Sequence, residues 1–245
     1  MSNPSSVNGS AALIAERQAA APILAASQIS TGYHGHAIVE DFDLDVHAGE
    51  IVALLGPNGA GKTTTLLTLA GEIRPLSGEL RLDGEPTKMP LHRRARNGLA
   101  LVTEERSVFM DLTVKDNLRV GRCDVDRVFE LFPELVPLAK RRAGLLSGGE
   151  QQMLTLGRAL AREPRLLLAD ELSLGLAPMV VTRLLEAVRK AADEQGVGVV
   201  LVEQHVKQAL RVADRVAVMR GGRVVVRGTV DEVAGKLEVA YLSGS

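Results

Sequence analysis

One eight-residue stretch, GPNGAGKT at Gly56–Thr63, constrains the fold more than any other part of this 245-residue chain. It matches the pattern G-x-x-x-x-G-K-[ST], follows the apolar run EIVALL and opens a segment of helical composition. In such a strand–loop–helix context, glycines let backbone N–H groups turn inward around phosphate oxygens, and the helix dipole favours the same anion. The sequence therefore predicts a nucleotide phosphate site within an α/β fold.

The residues of this loop have separate predicted tasks. Lys62 is placed for the β- and γ-phosphates, and the Thr63 hydroxyl is placed for Mg²⁺. The alternative is a chance glycine-rich turn, which the flanking strand and helix disfavour. The predicted nucleotide-binding residues here are Gly56, Pro57, Asn58, Gly59, Ala60, Gly61, Lys62, Thr63 and Thr64.

Along the rest of the chain, short apolar strands alternate with helices, which indicates a mostly parallel sheet covered on both faces. Strands dominate the start of the domain, and helical patterns dominate its middle. We therefore predict an α/β phosphate-loop NTPase core with an N-terminal antiparallel β-subdomain and an inserted α-helical subdomain at about 105–160. The domain is predicted to span 23–245, after a flexible leader at 1–22 that is rich in Ala and Ser.

Charge and cysteine content exclude several classes of protein. The net charge of −1 gives no electrostatic argument for a nucleic-acid partner, and the short basic run His92–Arg96 is interpreted as a solvated helix face. A single cysteine, Cys123, excludes an internal disulfide and a multi-cysteine metal site. No apolar run approaches the ~20 residues that a bilayer requires, and the start lacks the features of a secretion signal. We therefore expect a cytoplasmic protein.

Two adjacent carboxylates end the apolar run RLLLADE at Arg165–Glu171. The carboxyl edge of a parallel sheet is where open α/β folds bind ligands. Asp170 is therefore predicted to hold Mg²⁺, directly or through water, and Glu171 to act as the general base for the attacking water. The alternative is that these residues cap the next helix or pair with an arginine.

The heptad LSGGEQQ at Leu146–Gln152 resembles the signature motif of ATP-binding-cassette (ABC) ATPases. The resemblance implies ATP and Mg²⁺ as cofactors and ATP hydrolysis as the activity. It also implies a head-to-tail pair of cassettes, in which each signature caps the γ-phosphate bound by its partner. The residues that would do so are Ser147, Gly148, Gly149 and Gln151. The alternative, a serine N-cap with a capping glutamate, applies to the same residues as the start of a helix.

Other positions match the same family or depart from it. Tyr33 stands where these cassettes stack an aromatic ring on adenine, with a partly buried sheet residue as the alternative. His205 resembles the switch histidine that contacts the γ-phosphate and the attacking water, with plain polar surface as the alternative. Glu104 occupies the place of a common glutamine that acts near Mg²⁺. Leu172 and Ala177 replace the usual proline and aspartate after the catalytic glutamate.

These departures resemble one subgroup, the shorter ATPase subunit of importers for branched-chain amino acids, amides or urea. The resemblance extends from about Leu24 to Gly244. It implies a second ATPase subunit, either a copy or a relative, and two permeases that receive solute from an external binding protein. Phe109–Leu112 would contact a permease, unless these side chains only fill the helical subdomain. The subgroup resemblance also places the chain on the cytoplasmic face of the cell membrane. A non-transport ABC ATPase, acting in DNA repair or on the ribosome, is the alternative.

Overall fold

The computed structural model describes residues 17–233 and 235, and two sheets with surrounding helices make up this part of the chain. The strands are β1 (Leu24–Tyr33), β2 (His36–Val46), β3 (Ile51–Leu55), β4 (Ser77–Leu82), β5 (Glu85–Pro86), β6 (Leu99–Val102), β7 (Leu166–Asp170), β8 (Gly198–Glu203), β9 (Arg215–Arg220) and β10 (Arg223–Thr229). The α-helices are α1 (Lys62–Ala70), α2 (Leu91–Arg96), α3 (Val114–Val120), α4 (Val125–Leu131), α5 (Gly148–Leu160), α6 (Pro178–Gln195) and α7 (Val206–Ala209).

The larger sheet has six strands in the order β10-β9-β3-β8-β7-β6, and five of them run parallel, from β9 to β6. Only β10 is antiparallel, because a tight turn joins it to β9. The smaller sheet is antiparallel, in the order β2-β1-β4-β5. The predicted fold class, a mostly parallel core with an antiparallel β-subdomain and an inserted helical block, is confirmed.

Alternate residues of the parallel strands pack into two different cores, which explains why these strands are apolar throughout. One core, shared with α1 and the antiparallel sheet, includes Val52, Leu54, Leu166, Leu168, Val200 and Val202. The other, shared with α5 and α6, includes Ile51, Leu167, Ala169, Val199 and Leu201. This double burial fixes the carboxyl ends of β3, β7 and β8 side by side, where the polar residues of the site begin.

The helical block between β6 and β7 consists of α3, α4, two 3₁₀ turns and α5. Pro133 begins the first 3₁₀ turn and Pro137 lies inside it, so this stretch does not continue as an α-helix. The basic run His92–Arg96 is helical as predicted, but Arg94 is buried rather than solvated. Its guanidinium donates to the carbonyls of Leu69 and Met89, at the end of α1 and in the loop before α2.

The predicted leader, 1–22, lies for the most part outside the described residues. Within its described end, Arg17 forms ion pairs with Asp193 on α6 and with Asp214 before β9. The sequence also predicts a last short helix at 229–237, of which the structure describes the residues up to 233 and residue 235. Among the described helices, none has both the length and the apolar composition of a bilayer span.

Candidate functional site

The phosphate-loop motif forms the connection between β3 and α1. Gly61 adopts φ +97°, and a Cβ at this position would lie 2.5 Å from Val39 Cγ2, so both the backbone and the packing require glycine. Within the part of the chain that the structure describes, no side chain caps the start of α1. The first N–H groups of this helix therefore face the loop, where an anion can accept hydrogen bonds from them.

Lys62 is folded back into this loop. Its Nζ donates to the carbonyl oxygens of Gly56 and Pro57, at 2.9 and 3.2 Å, and lies 3.8 Å from Glu171 Oε1. The side chain is buried, so its positive charge is directed into the site and not into bulk water. The loop carbonyls therefore hold a cation beside Glu171, the residue that follows β7.

Asp170 ends β7 and is only 3% exposed. The hydroxyl of Thr63 donates to its carboxylate, whereas Asp170 Oδ1 has no hydrogen-bond partner among the described residues. Burial raises the pKa of Asp170 above its usual value. The Thr63 hydrogen bond and Lys62 oppose that rise, and the carboxylates of Glu171 and Glu104 add to it. A buried carboxylate oxygen without a partner next to a hydroxyl is a donor set suited to a hard divalent cation.

Glu171 directly follows Asp170, and the chain changes direction at this residue. It has φ +47°, a left-handed conformation that is uncommon for a residue with a side chain. Its N–H donates to Val202 O, which extends the pairing of β7 with β8 by one residue. The side chain is 13% exposed, beside Lys62. Such strained residues cluster at functional sites when the surrounding structure holds them in place.

Lys62, Thr63 and Glu171 line a cleft of about 470 Å³. Its lining comprises Ile38, Asn58, Gly59, Gly61, Lys62, Thr63, Thr64, Glu104, Glu171, Leu174 and Gln204. The structure thus brings the loop together with Glu104 and Glu171. Three lining residues, Ile38, Leu174 and Gln204, were not predicted. Only Gln204 had a signal in the sequence, because it directly precedes the predicted His205.

Several predicted residues lie outside this lining, among them Asp170, Tyr33 and His205. Tyr33 ends β1 and is 45% exposed. His205 is the exposed residue before α7, adjacent to Gln204 in the cleft. The roles predicted for Tyr33 and His205 stay predictions.

The signature heptad begins α5 and has a capping box. Ser147 Oγ accepts from Glu150 N, and the Glu150 carboxylate accepts from Ser147 N. The serine N-cap with a capping glutamate, which the sequence offered as the alternative, is thus present at the start of α5. None of the residues 147–151 belongs to the lining of the cleft described above.

The glycines of the signature also have a packing role that the sequence did not reveal. A Cβ on Gly149 would lie 2.8 Å from Val180 Cγ1 on α6, and one on Gly148 would meet the guanidinium of Arg106. Gln151 is turned inward, where its amide nitrogen donates to Ala143 O at 3.0 Å. That amide is therefore used within this chain.

The two departures after Glu171 have distinct environments. Leu172 is buried in the core shared with α5 and α6. Ala177 is the N-cap residue of α6 and makes no side-chain cap, with Pro178 as the first helical residue. An aspartate at 177 would be a stronger cap, so the alanine leaves the start of α6 without one.

The region predicted to contact a permease is partly exposed and firmly held. Phe109 and Met110 are about half exposed. The buried Asn117 side chain accepts from Phe109 N and donates to Phe109 O. Arg158 lies over the Phe109 ring at 5.6 Å. This segment is thus a half-exposed apolar surface that contacts with Asn117 and Arg158 hold in place.

A second group of ionisable side chains, Asp45, His47 and Glu50, lies at the opposite end of β3 from the loop. Arg215 donates to both Asp45 oxygens and to Glu50 Oε1, and His47 N donates to Glu50 Oε2. Each carboxylate oxygen is already used in a hydrogen bond. We therefore interpret Asp45, His47 and Glu50 as a structural hydrogen-bonded group and not as a metal site.

A phosphate loop at the centre of a parallel sheet, a helical insertion and a separate glycine signature together define an ABC ATPase. The chain belongs to the ABC transporter family, whose family model matches residues 39–173. It is an ATP-hydrolysing, ATP-binding subunit of a transporter. It is 43% identical to the high-affinity branched-chain amino acid transport ATP-binding protein BraG of Pseudomonas aeruginosa, over 91% of this chain and 100% of that protein.

Two further comparisons extend this relationship. The chain is 36% identical to the lipopolysaccharide export system ATP-binding protein LptB of Escherichia coli, over 86% of this chain and 92% of that protein. Among solved structures, the dimeric post-hydrolysis state of the cassette MJ0796 bound to ADP and Pi matches with a TM-score of 0.74 at 24% identity. That match covers 84% of this chain and 98% of the other, and it supports the fold.

Proposed function

We propose that this chain hydrolyses ATP at the cytoplasmic face of the cell membrane to drive an importer for branched-chain amino acids or related small amides. The similarity to BraG over the whole length of that protein carries the proposal. The cleft described above supplies the chemistry, because it places a lysine, two carboxylates and a phosphate loop within one site.

In this proposal, residues 56–64 bind the phosphates of ATP. The N–H groups at the start of α1 donate to phosphate oxygens, and Lys62 exchanges its two loop carbonyls for the β- and γ-phosphates. Because Lys62 is buried, the loop need not remove a fully hydrated ammonium group from water when the nucleotide arrives. Tyr33 would contact the adenine ring.

Asp170 and Thr63 would hold Mg²⁺, with Glu104 near it across the cleft. The unpartnered Asp170 Oδ1 supports this assignment, because a buried carboxylate oxygen without a donor is otherwise costly. Glu104 lines the same cleft, and it carries a negative charge that the glutamine common at this position in the family lacks. When bound, Mg²⁺ would neutralise charge on the β- and γ-phosphates during transfer.

Glu171 would act as the general base. Its carboxylate takes a proton from water while the water oxygen bonds to the γ-phosphorus, and the bond from that phosphorus to the bridging oxygen breaks to release ADP. His205 would orient the same water and the γ-phosphate. Lys62 lies 3.8 Å from Glu171 and would stabilise the negative charge on the γ-phosphate during this step.

The signature at Ser147, Gly148, Gly149 and Gln151 would act on the nucleotide of a second ATPase subunit. None of these four residues lines the cleft of this chain. The dimeric cassette noted above supports such a pairing. The Gln151 amide donates to Ala143 O, so we propose that Gln151 supports the turn before α5. The phosphate contact would then come from Ser147 and the N–H groups at the start of the helix.

The surface at Phe109–Leu112 would dock on a permease. Gln151 Nε2 lies 3.8 Å from Met110 Sδ, so the signature helix and this surface are in direct contact. Closure of two subunits on ATP would therefore move the docked permease. An external binding protein would deliver the solute to the permeases.

Purification of the membrane complex that contains this chain tests the proposal. We expect two permeases and a solute-binding protein whose ligand is a branched-chain amino acid or a small amide. The similarity to LptB makes lipopolysaccharide export a second candidate, which recovery of lipid-export partners would favour. Recovery of ribosomes or DNA in place of membrane proteins would contradict both.

A further inference from the structure

A wholly buried carboxylate, Glu203, ends β8 beside the cleft. Its Oε1 accepts from Ser173 N at 3.1 Å, and its Oε2 accepts from Ser173 Oγ at 2.6 Å. Ser173 is buried as well. Both oxygens of the carboxylate are therefore committed to one residue of the loop that follows β7, 30 positions away in the sequence.

This contact joins the two segments that carry the groups proposed for water activation. Ser173 is two residues beyond Glu171, and Glu203 is two residues before His205. In the central sheet, Glu203 is paired with Leu55, the residue before the phosphate loop. Val202, its neighbour, accepts the N–H of Glu171. Glu203 thus joins the end of β8 to the loop after β7, directly before Gln204 of the cleft lining.

The left-handed conformation of Glu171 needs such support. A residue with a side chain at φ +47° keeps that conformation only when contacts on both sides impose it. The N–H bond to Val202 O fixes one side of the turn. The two bonds from Ser173 to Glu203 fix the other side, so the direction of the Glu171 side chain depends on them.

The charges around Glu203 show that this carboxylate is held at a cost. Burial raises the pKa of Glu203 from 4.5 to about 7, the nearby Glu171 adds to the rise, and the Ser173 bonds oppose it. Lys62, on α1, faces Glu171 with its Nζ 3.8 Å from Glu171 Oε1. A glutamate kept in so unfavourable an environment is typical of a functional position.

We propose that Glu203 is a positioning residue for ATP hydrolysis, which holds Glu171 and the loop after it by clamping Ser173. The inference rests on the proposed role of Glu171 as the general base. The clamp acts on the rate of the chemical step and leaves ATP binding to the phosphate loop.

Three variants of the full-length chain test the clamp, with steady-state ATPase kinetics and titration with a fluorescent ATP analogue as readouts. Glu203→Leu fills the buried volume but offers no acceptor, and Ser173→Ala removes one of the two donors. We expect kcat to fall about tenfold to a hundredfold in Glu203→Leu and less in Ser173→Ala, with KM and analogue affinity within about twofold of wild type. Glu203→Gln can still accept from Ser173 N and donate to Ser173 Oγ, so its kcat should stay within about threefold.

An unchanged kcat in both Glu203→Leu and Ser173→Ala would overturn the proposal. A loss of nucleotide affinity in parallel with kcat, or a Glu203→Gln variant as slow as Glu203→Leu, would do the same. If Glu203→Leu does not fold, Ser173→Ala and Glu203→Gln decide the matter. Glu171→Gln, measured in the same assay, separates a failure of the proposed base from a failure of the proposed clamp. If that variant keeps its turnover, Glu171 is not the base, whatever the Glu203 variants do. The exposed Glu186→Gln serves as the unchanged control.

Discussion

Replacement of Glu203 by glutamine should stabilise the protein at pH 8, although it removes a charged group that makes two hydrogen bonds. The carboxylate is fully buried, and its pKa rises from 4.5 when exposed to about 7 in the folded chain. Each pKa unit corresponds to about 1.4 kcal/mol, so the ionised form costs the folded state about 3 kcal/mol. Glutamine has nearly the same shape and keeps both contacts with Ser173 without that charge.

The direction follows from where the proton is bound. Between pH 4.5 and 7 the folded chain holds the Glu203 proton and the unfolded chain has lost it. Stability from this group is therefore fully present below about pH 4.5 and is lost as the pH rises toward 7. The variant lacks this loss, so the difference between the two proteins should be near zero at pH 4.5 and reach about 3 kcal/mol above pH 7.

Urea denaturation of the full chain at several values between pH 5 and pH 8 measures this difference. For a domain of this size, the gain at pH 8 corresponds to a rise of about 6 to 12 °C in Tm. Glu186→Gln, at an exposed position on α6, should change stability by less than about 0.5 kcal/mol at every pH. A Glu203→Gln variant less stable than wild type at pH 8, or a difference that does not vary with pH, would refute the reasoning.

Three further predictions concern the cleft and the signature. Glu171→Gln should lower kcat at least about a hundredfold while the affinity for a fluorescent ATP analogue stays within about twofold; rapid turnover would exclude this residue as the base. Gly149→Ala should destabilise the chain by about 1 to 3 kcal/mol in urea, because its Cβ would overlap Val180; the double variant with Val180→Ala should recover part of the loss, and strict additivity would contradict the contact. Ser147→Ala should cost about 1 kcal/mol through the lost cap. Ser147→Asp should restore that stability but not ATPase activity, because its carboxylate repels phosphate; an active aspartate variant would remove the proposed phosphate contact.

The fold was predictable because its signals are local. The phosphate loop requires a strand before it and a helix after it, and the continuous apolar runs of β3, β7 and β8 indicate strands covered on both faces. The same reasoning places Asp170 and Glu171 beside the loop, since the carboxyl ends of parallel strands meet at one edge. The cleft brings Glu171 to the loop as that reasoning expects, and it brings Glu104 there as the family resemblance implied.

The contacts that the sequence did not reveal join residues far apart in the chain. Glu203 bonds to a serine 30 positions away, and nothing in the run GVVLVE indicates that its last residue is buried and paired. Arg94 looked like part of a solvated basic run, yet it closes the end of α1 by binding two carbonyls. The positive φ of Glu171 depends on the neighbouring strand and so has no signature of its own.

The central claim is that ATP is held between the phosphate loop of one ATPase subunit and the signature of another. A photo-crosslinking amino acid at Leu145, which is 64% exposed and two residues before Ser147, tests it directly. In the membrane complex of the Glu171→Gln variant with ATP and Mg²⁺, we predict an ATP-dependent cross-link to the phosphate loop of a second ATPase subunit. A cross-link confined to the same chain, or one that forms equally without ATP, would contradict the claim.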